Sequence, residues 1–180
     1  MNATTGTNLL KGMAVLVILA GIIIGALDYV HEATADRIEV HQNRAFWALA
    51  EELAGDSTLH ESAHGSASRP EIGKPVRLKD GRLLGSTSTA GYGGDIELLI
   101  LLNPDGSIGG VRTVRHAETP GIGDFIQGAT PWMGQFRSLH SGQLDFIDGR
   151  TGATITVNAM RRGVRGFIST VSSQESEPTL

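Results

Sequence analysis

Between Gly12 and Leu27 the chain runs for sixteen residues without a charge, most of them Val, Leu, Ile or Ala. A run of this length is too long for an ordinary strand and too apolar for a water-exposed loop, so it predicts a helix that spans a bilayer. A span takes about 20 residues. Leu9 and Leu10 supply the remainder when Lys11 extends its ammonium group to the interface. The rival reading is a cleaved secretory signal, for which Ala33-Thr34-Ala35 is a small-residue site, but that site lies eight residues past the end of a long apolar run. The retained anchor is the reading taken. Its orientation is open on charge, because Lys11 precedes the span while Arg37 and Arg44 follow it.

What lies beyond the anchor is bounded by size and composition. The chain has 180 residues, enough for one domain of ordinary size in addition to the anchor. A net charge of −4 offers no basic face, which excludes nucleic acid as a partner. Cysteine is absent, so disulfides, thiolate metal sites and cysteine-held iron–sulfur clusters are excluded, and any redox centre has to be a bound cofactor. There are 24 glycines, about twice the usual share of roughly 7%. That suits turn-rich β structure and close approach of backbone to a ligand.

Taken in order, the chain divides into an N-terminal segment with its transmembrane anchor (1–30), a juxtamembrane helix (31–55), a head domain (56–172) and a polar tail (173–180). His31 to Ala54 contains neither Gly nor Pro, and Ile38, Ala45, Phe46, Leu49 and Leu53 form a partial helical stripe closed by Gly55. Asp56 to Pro70 is linker-like. Within it, His60-Glu61-Ser62-Ala63-His64 fits the H-E-x-x-H spacing of zinc hydrolases, but Gly65-Ser66-Ala67-Ser68-Arg69-Pro70 follows at once where the motif needs a stable helix, and no G-x-x-H continuation supplies a third ligand, so two solvated histidines are the preferred reading. Pro75 to Thr89 reads as a hairpin about Asp80-Gly81, Ile96 to Leu102 as a strand, Asn103 to Gly106 as a turn and Ile108 to His116 as another strand. Phe125 to Phe136 is a helix or a compact loop, Phe146-Ile147 a short strand, and the tail after Ser172 is frayed. The fold class is α+β, with an antiparallel sheet in the head.

Asp148 to Thr156 packs three hydroxyl side chains, two glycines and one alanine into nine residues. An amphipathic stripe follows at Val157, Met160, Val164, Phe167 and Val171, which makes this stretch a strand-to-helix or loop-to-helix junction. Thr154 or Thr156 has two competing uses there. One is an N-cap, accepting a bond from an unpaired amide. The other is to stand beside an anion that the free amides and the helix dipole attract, where a threonine could carry a phosphate group.

The string Asp148-Gly149-Arg150-Thr151-Gly152-Ala153-Thr154 matches a D-x-x-[ST]-G-A-T pattern, and His116-Ala117-Glu118-Thr119-Pro120-Gly121-Ile122-Gly123 matches H-x-E-T-P-G-[LI]-G. With Gly91-Tyr92-Gly93-Gly94 and one N-terminal span, the chain resembles the RnfG/NqrC-type covalent FMN-binding domain family of the Rnf electron transport and sodium-pumping quinone reductase complexes. The resemblance implies FMN joined through its phosphate to Thr154 by a magnesium-dependent flavin transferase that uses FAD as donor. It implies that Asp148, Thr151, Gly152 and Ala153 form the attachment pattern, and that Thr119, Pro120 and Gly121 line the ring. Glu118 bonds a polar ring edge or fixes its own loop. For Asp148 and Thr151 a turn-forming role is the alternative, and Tyr92 and Trp132 either stack on the flavin or belong to the core. An N-in topology is implied, with the head on the periplasmic side of the inner membrane. The partners implied are the other membrane subunits of an ion-translocating complex, within which the chain carries electrons without catalysis of its own. Two other functions stand beside this one: a zinc hydrolase built on His60 and His64, and a membrane-anchored sensory or scaffold module that holds FMN loosely or not at all.

Overall fold

Helix α1 runs without interruption from Ala3 to Ala54. The computed structural model describes residues 3–55 and 69–175, with the side chains of 12–29, 31, 42–55 and 69–174; the His60–His64 motif lies outside the described residues. The chain forms two compact units, Met1–Gln42 and Asn43–Leu180. The first contains the Gly12–Tyr29 segment, with a mean hydropathy of 2.2 and no buried side chains. Val17 and Ile24 are among the exposed apolar side chains there, as bilayer contact requires. Helical hydrogen bonding does not stop between this segment and the juxtamembrane stretch, because no Gly or Pro stands between His31 and Ala54 to interrupt it. It stops where the sequence indicates, at Gly55, whose φ of 83° turns the chain while its N–H bonds the Glu51 carbonyl.

The second unit is built on a four-stranded antiparallel meander in the order β1 (Val76–Arg77), β2 (Leu83–Ala90), β3 (Asp95–Leu102), β4 (Ile108–Arg115). Asp80-Gly81 makes the first turn, with Gly81 at φ 85°, and Asn103 to Gly106 makes the third. Strand β3 reads as an unbroken apolar run because the sheet is covered on both faces. Ile96, Leu98, Ile100 and Leu102 point into one core, and Leu99 and Leu101 into the other. The last turns of α1 close the second core through Phe46, Ala50, Leu53 and Ala54.

The first core is closed by α2 (Pro131–Gly134), by a 3-10 helix over Ser141–Phe146 and by α3 (Thr154–Glu175). All five residues of the amphipathic stripe are buried against the sheet. Burial of a side chain such as Phe167 contributes about 2–3 kcal/mol. Trp132 sits edge-on to Phe125 and Phe136 with ring centroids 4.6 Å and 5.5 Å away, so it is a core residue.

Two expectations are corrected. Phe146-Ile147 is no strand: Phe146 ends the 3-10 helix, and Ile147 turns inward to the core as the next residue. The junction is therefore delivered by a loop. The polar tail is helical as far as Glu175, and Ser172 and Ser173 bond back to the carbonyls of Ile168 and Ser169.

The outer rims of the sheet are partly occupied. Ser86 O accepts from Gly73 N, Ala90 O accepts from Arg162, and Ile108 exchanges bonds with Ser138 and Leu139.

Candidate functional site

Two turns of one kind face each other across a hollow on the head. In Thr119-Pro120-Gly121-Ile122 the Ile122 N–H closes onto the Thr119 carbonyl, and Gly121 sits at φ 85°. Proline in the second place and a left-handed glycine in the third are what a type II turn demands. In Arg150-Thr151-Gly152-Ala153 the Ala153 N–H closes onto the Arg150 carbonyl, with Gly152 at φ 81°. The glycine in each motif is therefore a backbone requirement.

The second turn opens directly into α3. Val157 N–H bonds the Ala153 carbonyl, which makes Ala153 the cap and Thr154 the first helical residue. Alanine has no side chain with which to cap, and among the described residues no group accepts from the amides of Thr154, Ile155 and Thr156. Thr154 is exposed and its hydroxyl is unengaged by any described group. Thr156 is 1% exposed and donates its hydroxyl to Glu118 Oε2 at 2.7 Å. Neither threonine is the N-cap, and only Thr154 is open to a phosphate.

The start of this loop is held from both sides. Asp148 N–H donates to Gln135 Oε1 at 2.8 Å, and its carbonyl accepts from Trp132 Nε1 at 2.9 Å. Arg161 bonds the Ile147 carbonyl. The Asp148, Thr151 and Gly152 positions are exposed, while Ala153 is buried.

Glu118 organises the rest. Its Oε1 accepts from Tyr92 N–H at 2.7 Å and Gly93 N–H at 3.3 Å, while Oε2 takes the Thr156 hydroxyl. One carboxylate thus ties the Gly91–Gly94 turn to the first turn of α3. The glycines around it are there for space: a Cβ on Gly91 would strike Glu118 Oε1, and one on Gly123 would come within 2.5 Å of Glu118 Cβ. His116 Nδ1 accepts from Glu118 N–H at 3.2 Å, and its Nε2 meets the Gln127 amide at 2.8 Å, which fixes the start of the loop. Both oxygens of Glu118 thus bond the elements around it.

Between these elements lies a cavity of about 370 Å³ lined by Tyr92, Ile122, Gly152, Ala153, Thr154, Ile155 and Thr156. Its volume falls in the range of about 300–1,000 Å³ usual for cofactor sites. Tyr92, Ile122 and Ile155 give it apolar walls. Thr154 and the free amides of α3 make one end receptive to an anion. Of the expected site residues, Gly152, Ala153 and Thr154 line the cavity. Thr151 and Asp148 stand outside it on the loop that leads into α3, and Thr119, Pro120 and Gly121 form the turn that presents Ile122. Ile155 was missed in the sequence, although an apolar residue lying off the stripe of its own helix is a signal for a second surface.

Comparison with known proteins follows the same boundaries. The FMN-binding domain family matches residues 91–169, from the Gly91 turn to most of α3. The G component of an ion-translocating oxidoreductase complex of Pseudomonas aeruginosa is 30% identical over 190 residues, covering 91% of this chain and 89% of the relative. Its counterpart in Shewanella baltica is 27% identical, covering 89% and 88%. The G component of a proton-translocating ferredoxin:NAD(+) oxidoreductase complex of Clostridium ljungdahlii is 27% identical, covering 91% and 90%.

Proposed function

The chain belongs to the family of G components of ion-translocating oxidoreductase complexes, and from that premise we propose that it carries FMN covalently, through a phosphoester to Thr154, as the membrane-anchored electron carrier of such a complex. It has an FMN-binding domain and an apolar N-terminal helix of a length to cross the membrane. Its partners are the other subunits of the complex and, for maturation, a flavin transferase. The proposed division of labour assigns residues 1–30 to the anchor, 31–55 to the juxtamembrane helix, 56–172 to the flavin domain and 173–180 to the tail.

The observation that supports the reading is the setting of Thr154. It presents an unengaged hydroxyl at the mouth of the cavity, beside amides without acceptors among the described residues and behind a glycine turn that leaves a transferase room to approach. The residues fit the group. The amides of Thr154, Ile155 and Thr156 would take the phosphate, Thr151 and Asp148 would present the attachment loop, and Tyr92, Ile122 and Ile155 would shield the ring with the Thr119–Gly121 turn behind Ile122. Bound there, FMN supplies the one- and two-electron chemistry that no side chain of this chain offers.

The test is co-expression of the full chain with a flavin transferase, followed by in-gel fluorescence after denaturation and mass spectrometry of the Thr154 peptide. Wild-type and Thr151→Val protein should fluoresce. Thr154→Val, which keeps the shape and removes the only atom able to form the ester, should not. Fluorescence of the Thr154→Val band would move the attachment elsewhere and end the assignment.

We place the head on the periplasmic side, so that its flavin exchanges electrons with membrane partners and not with soluble cytoplasmic donors. The acidic residues Asp28, Glu32 and Asp36 just past the apolar run are compatible with that side. Protease added to intact spheroplasts should digest the head, and its full protection would reverse the topology.

A further inference from the structure

Glu118 is buried at 5% exposure and accepts three hydrogen bonds, all from neutral donors: two backbone amides and the Thr156 hydroxyl. Oε1 takes two amide donors and Oε2 takes the Thr156 hydroxyl, a donor set that suits a carboxylate. Buried carboxylates are ordinarily paired with a cation. Among the described residues no lysine or arginine forms an ion pair with this one. Its bonding partners among the described residues are dipoles alone. Its holders, Tyr92 and Thr156, are themselves walls of the cavity, so a carboxylate without an ion pair among the described residues stands directly behind the ring-binding surface.

We infer that Glu118 is a positioning residue that sets the reduction potential of the flavin without touching it; this rests on the flavin reading above. Reduction adds electrons from an external donor to the ring and makes the site more negative. A fixed carboxylate buried in the protein opposes that gain, and burial weakens the screening it would have at the surface. The midpoint is therefore held lower than the same cavity would give with a neutral residue at 118. The carboxylate also keeps its place as electrons come and go, because it spans two elements with its own hydrogen bonds and needs no partner from the cofactor.

Two variants separate the charge from the clamp. In Glu118→Gln the amide oxygen can still accept from Tyr92 and Gly93, and the amide nitrogen can donate to the Thr156 oxygen, so the clamp is kept and the charge is lost. In Glu118→Asp the charge is kept and the reach is lost. Full-length protein flavinylated by the transferase is titrated spectroelectrochemically, with covalent flavin content and melting temperature measured alongside. The midpoint of Glu118→Gln should shift to more positive values at undiminished flavin content. The midpoint of Glu118→Asp should stay with wild type even where its melting temperature falls. An unmoved Glu118→Gln midpoint, or the same shift in both variants, overturns the proposal. Should the Gln variant not accumulate, an upward shift in Glu118→Asp alone overturns it, since geometry and not charge would then set the potential. A wild-type chain without covalent flavin is a different failure, of the attachment reading itself, and is seen in the gel before any titration.

Discussion

Two carboxylates are buried among the described residues of the head, Glu97 and Glu118, and the chain treats them in opposite ways. Glu97 lies on β3 on the same face as Leu99, toward the core closed by α1. It is neutralised there by an ion pair with Arg69 and by Arg115, whose Nε lies 4.0 Å from its carboxylate. Arg69 in turn rests over the Phe46 ring at 4.9 Å, and burial together with the Arg115 charge holds its guanidinium below its ordinary value. Glu118, on the other side of the sheet, has hydrogen bonds and no countercharge among the described residues. The first arrangement fastens an element to the sheet, and a purely structural role explains it. The second leaves a net charge where a ligand would feel it.

The comparison is broken most violently at Glu118. Replacement by Leu would orphan the Tyr92 and Gly93 amides and the Thr156 hydroxyl, at about 1–3 kcal/mol for each well-made bond. Since the Gly93 bond is long, a loss of about 3–5 kcal/mol is expected, with little flavin retained. Urea unfolding of the full chain in mild detergent, followed by the fluorescence of Trp47 and Trp132, measures it. A loss under about 1 kcal/mol would show that the clamp contributes little. Glu97→Leu should do less. Arg115 is already exposed and Arg69 partly so, and water can take over their solvation. A cost of about 1–2 kcal/mol is expected. The sharper outcome is electrochemical: with flavin loaded, Glu97→Leu should leave the midpoint at its wild-type value. A shift equal to that of Glu118→Gln would mean that any buried charge in the head has the same effect, and the distinction between the two would fall.

Most of the scaffold was legible because its signals are local. Asp80-Gly81 and Asn103 to Gly106 announce turns, Ile96 to Leu102 announces a strand buried on both faces, and the Val157–Val171 stripe announces the helix that covers one of them. The loop-to-helix junction at Thr154 was legible from its small residues and from the stripe that follows. Phe146-Ile147 misled because an aromatic followed by a β-branched residue looks like strand, while the decision lay with the short 3-10 helix before it and the core that receives Ile147. The function of Glu118 was not legible as a single answer. Its partners stand 26 and 38 residues away, and nothing at position 118 indicates whether its oxygens turn toward a ligand or toward the chain. Thr156 was readable as a cap for the same reason, since only the folded head shows its hydroxyl already spent on Glu118.

The occupied rims of the sheet bear on how such a head lives beside other subunits. An exposed strand edge invites any neighbouring chain to add a strand, and a protein concentrated at a membrane surface meets its own copies often. Here Gly73 and Arg162 take up acceptors along the outer side of β2, and Ser138 and Leu139 cover the start of β4. Those groups are already bonded and are not open to a newcomer. Recognition by a partner is thereby directed to side chains and loops, which are specific, and away from strand addition, which is not. Crowding in the membrane then brings heads together with fewer open places along these edges for a strand to add.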